Sequence, residues 1–164
     1  MEHLSKHRCA RLKRRRARGF SLIELLIVIA IILIIIGIAL PRFNVAQMNA
    51  RELAVQQAVR TLNTAQVQYL SSYGNYAATL AQLGPPSSGV PGPAAADLIP
   101  ESLAKGDKDQ YLFVMTATPQ GYTISAAPRV FNSGGRRSFF TDQSMVVRES
   151  QTAEPANASS PEVR

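Results

Sequence analysis

FSLIELLIVIAIILIIIGIAL, residues 20–40, decides the architecture of this chain. Sixteen of its 21 residues are Phe, Leu, Ile or Val. As a helix rising about 1.5 Å per residue it would be roughly 31 Å long, the thickness of a bilayer's hydrocarbon core. Insertion into lipid would release about 5–10 kcal/mol from the aliphatic side chains, against a cost of about 3 kcal/mol for the one charge, Glu24. The apolar term wins, and the segment reads as a single membrane span.

The flanks set its direction. Residues 1–19 carry Lys6, Arg8, Arg11, Lys13, Arg14, Arg15, Arg16 and Arg18 against Glu2 alone, whereas Arg42 is the basic residue that closely follows the span. This asymmetry keeps the N-terminus in the cytoplasm and sends residues 42–164 across the membrane. The whole formal charge of +7 resides in that leading segment, because the ten Lys/Arg and ten Asp/Glu of residues 20–164 cancel. A basic nucleic-acid-binding domain is therefore not expected. A conventional secretory signal does not fit either: the apolar run is too long, and Leu40-Pro41-Arg42 lacks the small residues a signal peptidase requires. Hydropathy alone leaves a plain signal-anchor as the alternative.

Glu24 discriminates further. A carboxylate inside an unbroken apolar run is costly in lipid and marks a function. The string Arg18-Gly19-Phe20-Ser21-Leu22-Ile23-Glu24-Leu25 resembles the prepilin peptidase recognition signature of type IV pilins and type II secretion pseudopilins. The resemblance runs over residues 18–43, including Pro41 where family members carry a helix-bending proline, and weakens over the C-terminal half. It implies cleavage between Gly19 and Phe20 and N-methylation of Phe20 by a prepilin peptidase/N-methyltransferase. It also implies that Glu24 neutralises the N-terminal amine of a neighbouring subunit and so sets the register of a filament. The implied partners are that peptidase, further copies of the chain and other pilins, and an inner-membrane assembly platform. The implied location is the cytoplasmic membrane, single-pass with the C-terminus outside, and then an extracellular pilus or a periplasmic pseudopilus. The physical chemistry agrees: glycine leaves the scissile backbone unshielded, and an ammonium and a carboxylate buried among apolar helices each require the other.

Gly37 and Pro41 stand four apart, so Pro41 withholds the amide that would bond the Gly37 carbonyl. Residues 37–41 are the expected helix hinge. From Asn44 to Tyr73 there is neither Gly nor Pro. Met48, Val55, Val59, Leu62, Tyr69 and Tyr73 recur at helical steps, with Ala58 and Ala65 beside them and Gln, Asn and Arg assigned to the other face. Gly74 ends this amphipathic helix. Short helical turns are expected over 76–84 and 97–103, around a Pro/Gly/Ser-rich loop at 84–96. Residues 110–118 and 121–127 read as one hairpin, and 137–141 and 145–148 as a second. The last stretch, 149–164, is polar and proline-containing and reads as disordered. The expected fold is α+β and pilin-like: one long N-terminal helix, apolar then amphipathic, packed on an antiparallel sheet of three to four strands. Its segments are a leader at 1–19, an assembly helix at 20–41, an amphipathic helix at 42–73, a head at 74–148 and a tail at 149–164.

No catalytic, metal or cofactor site is expected. Cys9, His3 and His7 all precede the cut, so the mature chain lacks the usual nucleophile, general base and neutral metal ligand. Gly106-Asp107-Lys108-Asp109 supplies two carboxylates, too few for a calcium shell of about six to eight oxygens. Ser133-Gly134-Gly135-Arg136-Arg137 is a basic loop tip, and Arg136 and Arg137 are the candidate binding residues for DNA or an acidic surface, weighed against a solvated turn. The expected role is a filament subunit. A secretion pseudopilin and a minor pilin that binds DNA or a surface are the alternatives.

Overall fold

The computed structural model describes residues 19–163, and the basic leader up to Arg18, with Cys9 and both histidines, lies outside the described residues. The chain divides between Leu40 and Pro41 into two compact units. Helix α1 is Leu22–Tyr73. Ahead of Pro41 it is aliphatic on all sides and every residue is exposed, the pattern of a segment whose proper surroundings are apolar.

In the second unit, α1 is amphipathic and its buried stripe is organised by a 3-4-3-4 spacing. Glu52, Val55, Val59, Leu62, Gln66 and Tyr69 are buried and Tyr73 is half-buried. The apolar members match the sequence expectation. Asn63 and Gln66 correct it, since they are 4% and 0% exposed rather than on the solvent face, and Glu52, assigned to neither face, is 3% exposed. Each is buried because it has hydrogen-bonding partners, which removes the penalty on a dehydrated polar group. Gln66 brackets one residue, donating from Nε2 to the Ala77 carbonyl (2.9 Å) and accepting the Ala77 N–H at Oε1 (3.0 Å). Asn63 donates to Thr141 Oγ1 (2.9 Å) and accepts from the Tyr122 hydroxyl (3.2 Å). Burial above all, then Tyr76 and Asp142 nearby, pushes the Tyr122 phenol up to about 12, so it stays a neutral donor in this network.

The remaining elements are α2 (Leu80–Leu83), α3 (Glu101–Ala104), β1 (Asp107–Lys108), β2 (Tyr111–Thr118), β3 (Gly121–Pro128), β4 (Ser138–Asp142) and β5 (Arg148–Ser150). The sheet is antiparallel in the order β1-β2-β3-β4-β5. The α+β pilin-like architecture is as expected, with five strands instead of three or four. The helical turn foreseen over 76–84 forms only at α2, where Gln82 Oε1 accepts the amides of Ala78 (2.6 Å) and Thr79 (3.2 Å). The first hairpin keeps its Pro119-Gln120 turn, with Thr118 opposite Gly121. Tyr111, Phe113, Tyr122, Ile124, Ala126 and Phe139 point from the sheet into the core with the stripe of α1. Phe140 alternates with buried Phe139 and Thr141 and is half-buried on the opposite face of β4. Gly135 is required by packing, because a Cβ there would collide with the Tyr111 hydroxyl, which donates to the Arg137 carbonyl (2.7 Å).

The tail expected to be disordered is folded. Ala156 is 5% exposed, and its N–H bonds Ser138 Oγ (2.8 Å). Glu149 N–H reaches the Pro161 carbonyl and Val163 N–H the Val147 carbonyl, both at 2.9 Å, while Arg148 donates to the Ser160 carbonyl (3.0 Å). Low apolar content excludes a self-made core, but it does not prevent a segment from being held through its backbone. Proline is no obstacle in this arrangement, because Pro161 contributes the one backbone hydrogen-bonding group that proline retains.

Candidate functional site: the N-terminal processing and assembly segment

Gly19, Phe20 and Ser21 precede α1 outside regular secondary structure, and Phe20 is 78% exposed. An uncoiled, accessible Gly19–Phe20 bond is what a peptidase needs, since a peptide bond within a helix is locked into its hydrogen-bond ladder. A Cβ at position 19 would meet nothing within 4 Å, so packing among the described residues does not account for the glycine.

Glu24 falls in the first turn of α1. There its negative charge complements the unpaired amides at the helix start, and Ser21 three residues earlier gives the spacing of a capping box. Among the described residues Glu24 forms no ion pair, and it is exposed between Ile23 (65%) and Leu25 (57%). The span that follows reaches a mean hydropathy of 3.3 over 18 residues, with none of that stretch buried. It is long and apolar enough to cross a membrane. Residues 37–41 are all helical. A Cβ at Gly37 would also meet nothing within 4 Å, so no packing among the described residues calls for a glycine there.

Arg136 and Arg137 belong to the second unit and behave differently from each other. Arg136 is exposed, whereas Arg137 turns inward. Arg137 Nε donates to Glu52 Oε2 (2.7 Å) and Nη1 to Glu149 Oε2 (3.0 Å), and its guanidinium lies 6.0 Å from the Phe139 ring centre. The other Glu52 oxygen accepts the backbone N–H of Arg136 (2.7 Å). Burial opposes the charge on Arg137, but Glu52 first and Glu149 second outweigh it and raise the guanidinium above its ordinary value. Arg137 therefore ties α1 to β4 and β5 and is not a free cation at a loop tip. Glu52 and Glu149, its partners, were not singled out from sequence. The available signal was Glu52 at a stripe position three residues before Val55. Asp107 is likewise engaged, paired with Arg129, and among the described residues no group of three or more His, Cys, Asp or Glu could hold a metal ion.

The site therefore consists of a glycine–aromatic junction outside regular secondary structure, an acid in the first helical turn and an exposed aliphatic helix. Residues 14–40 match the family model described as the prokaryotic N-terminal methylation motif. The chain is also similar to the type IV major pilin protein PilA of Myxococcus xanthus (strain DK1622), at 38% identity over 69 residues, covering 42% of this chain and 31% of that protein. The match thus spans about a third of that relative's length. No solved structure matches the chain significantly. The family match thus covers the end of the leading basic segment and the apolar span, residues 14–40.

Proposed function

We propose that the chain is a prepilin, cut between Gly19 and Phe20 and N-methylated at Phe20, whose mature form is a structural subunit of an extracytoplasmic type IV pilus-like filament. The observation that carries this reading is Glu24, a carboxylate that pairs with no cation among the described residues, in the first turn of an otherwise aliphatic, exposed helix within the methylation motif. Such an acid is tolerable in an apolar bundle only beside a cation, and the new amine of Phe20 on a neighbouring copy supplies one. Until then the leader arginines and the span hold the precursor in the cytoplasmic membrane with residues 42–164 outside. Residues 37–41 act as the hinge of the assembling helix. Similarity to a protein named as a major pilin favours the pilus over the secretion pseudopilus and over a scarce minor subunit.

N-terminal sequencing and intact mass of the exported protein test the first step. The expected start is methylated Phe20. A start at Met1, or anywhere else, reduces the protein to a tethered domain. Gly19→Val is expected to leave the leader attached. Glu24→Ala should still insert and be cut, yet lower the filament yield in sheared fractions about tenfold or more, the effect of one uncompensated buried ammonium per subunit. A normal yield would remove the pairing role. Blotting the sheared fraction also separates a major subunit, which dominates it, from a minor one.

A further inference from the structure

Two adjoining clefts flank the loop that follows β3, both within the unit that begins at Pro41. The larger, about 400 Å³, is lined by Asn49, Phe131, Asn132, Arg136 and Gln151 around the Glu52–Arg137 pair. The smaller, about 360 Å³, shares Asn132 and adds Gln47, Arg51 and Gln110. Asn132 sits at their junction with φ of 66° and an N–H bonded to the Gly135 carbonyl (2.9 Å).

The charge in the clefts is one-sided. Both oxygens of Glu52, the carboxylate among the lining residues, are already taken by Arg136 N–H and Arg137. Arg136 forms no ion pair among the described residues. Among the described residues the Arg51 guanidinium bonds only to side-chain amides, Gln47 at 3.4 Å and Gln110 at 3.5 Å. Two available guanidiniums thus stand over a floor rich in carboxamides, next to the half-buried ring of Phe131.

We propose that these clefts bind an acidic polysaccharide. Guanidinium pairs bidentately with the carboxylate of a uronic acid, Asn and Gln supply both donors and acceptors for sugar hydroxyls, and an aromatic ring offers an apolar face to a pyranose. Nucleic acid fits less well. Its binding rests on many cations along a phosphate track and on exposed aromatic platforms, whereas the charges of residues 20–164 cancel and most of the tyrosines and phenylalanines of the second unit are in the core. This inference goes beyond filament assembly and needs only that residues 42–164 face the outside.

The test uses the chain freed of its basic leader, residues 20–164, in detergent micelles with immobilised polygalacturonate, and with dextran and single-stranded DNA as comparisons. Saturable binding to polygalacturonate is expected, well above dextran and DNA. Arg136→Gln and Arg51→Gln should each weaken it about tenfold, the effect of losing one charge-assisted bidentate contact, with thermal unfolding unchanged. Arg60→Gln, on the exposed side of α1, should leave binding intact. Equal affinity for dextran, tighter binding of DNA, no effect of the two substitutions, or an equal loss with Arg60→Gln would each overturn the proposal.

Discussion

Arg137→Ala is expected to destabilise the unit beginning at Pro41 by about 3–5 kcal/mol, the cost of stripping a buried ion pair of one partner. The reason is Glu52. Its side chain is 3% exposed, held on α1 between the Arg136 amide and the Arg137 guanidinium. Without the guanidinium that carboxylate remains dehydrated with a single donor, and Glu149 loses the same partner. Arg137 keeps 26% of its side chain exposed, so some water already reaches the pair and the lower end of the range applies. Thermal unfolding of the full chain in micelles checks this, with a fall of roughly 10 °C or more expected. Adding Glu52→Gln to Arg137→Ala should recover part of the loss, because it removes the orphaned charge. Arg136→Ala, one residue away, should stay within about 0.5 kcal/mol of the parent. A loss below about 1 kcal/mol for Arg137→Ala would mean that the triad contributes no net stability.

Gln66→Leu is expected to cost about 2–4 kcal/mol, although leucine fills a similar volume and is more apolar. Gln66 is fully buried and returns both backbone hydrogen bonds of Ala77. Leucine would leave that N–H and that carbonyl without partners inside the core, at about 1–3 kcal/mol each. The damage should be local. Amide exchange at Ala77 should accelerate sharply, while the amides of β3 and β4, whose partners lie in the sheet, stay protected until global unfolding. Uniform acceleration across the sheet would contradict the bracketing role of Gln66.

Hydrophobic pattern carried a large part of this structure on its own. The span, the apolar members of the α1 stripe, the β2–β3 hairpin with its two-residue turn and the inward alternation of Tyr111, Phe113, Tyr122 and Phe139 all follow from periodicity, because each is a local arrangement with a fixed repeat. The candidate processing segment was legible for a different reason. Its chemistry lies in consecutive residues, Gly19 through Glu24, and needs no folding to be assembled.

What pattern could not supply was pairing between residues distant in sequence. Glu52 meets Arg137 across 85 positions, Asn63 meets Thr141 across 78, and Gln66 meets Ala77 around the end of α1. A polar side chain on a stripe position reads as surface until its partner is placed, since the same residue is costly when buried alone and harmless when bonded. The folded tail follows the same rule: its composition predicts that it makes no core, and only the placement of β4 and β5 gives its backbone somewhere to bond. Sequence by itself determined where this chain is apolar, where it bends back in a hairpin and where its candidate processing segment lies. Tertiary structure alone decided which polar groups are buried and which of two adjacent arginines is left available for a ligand, because both depend on partners that only folding brings within hydrogen-bonding reach.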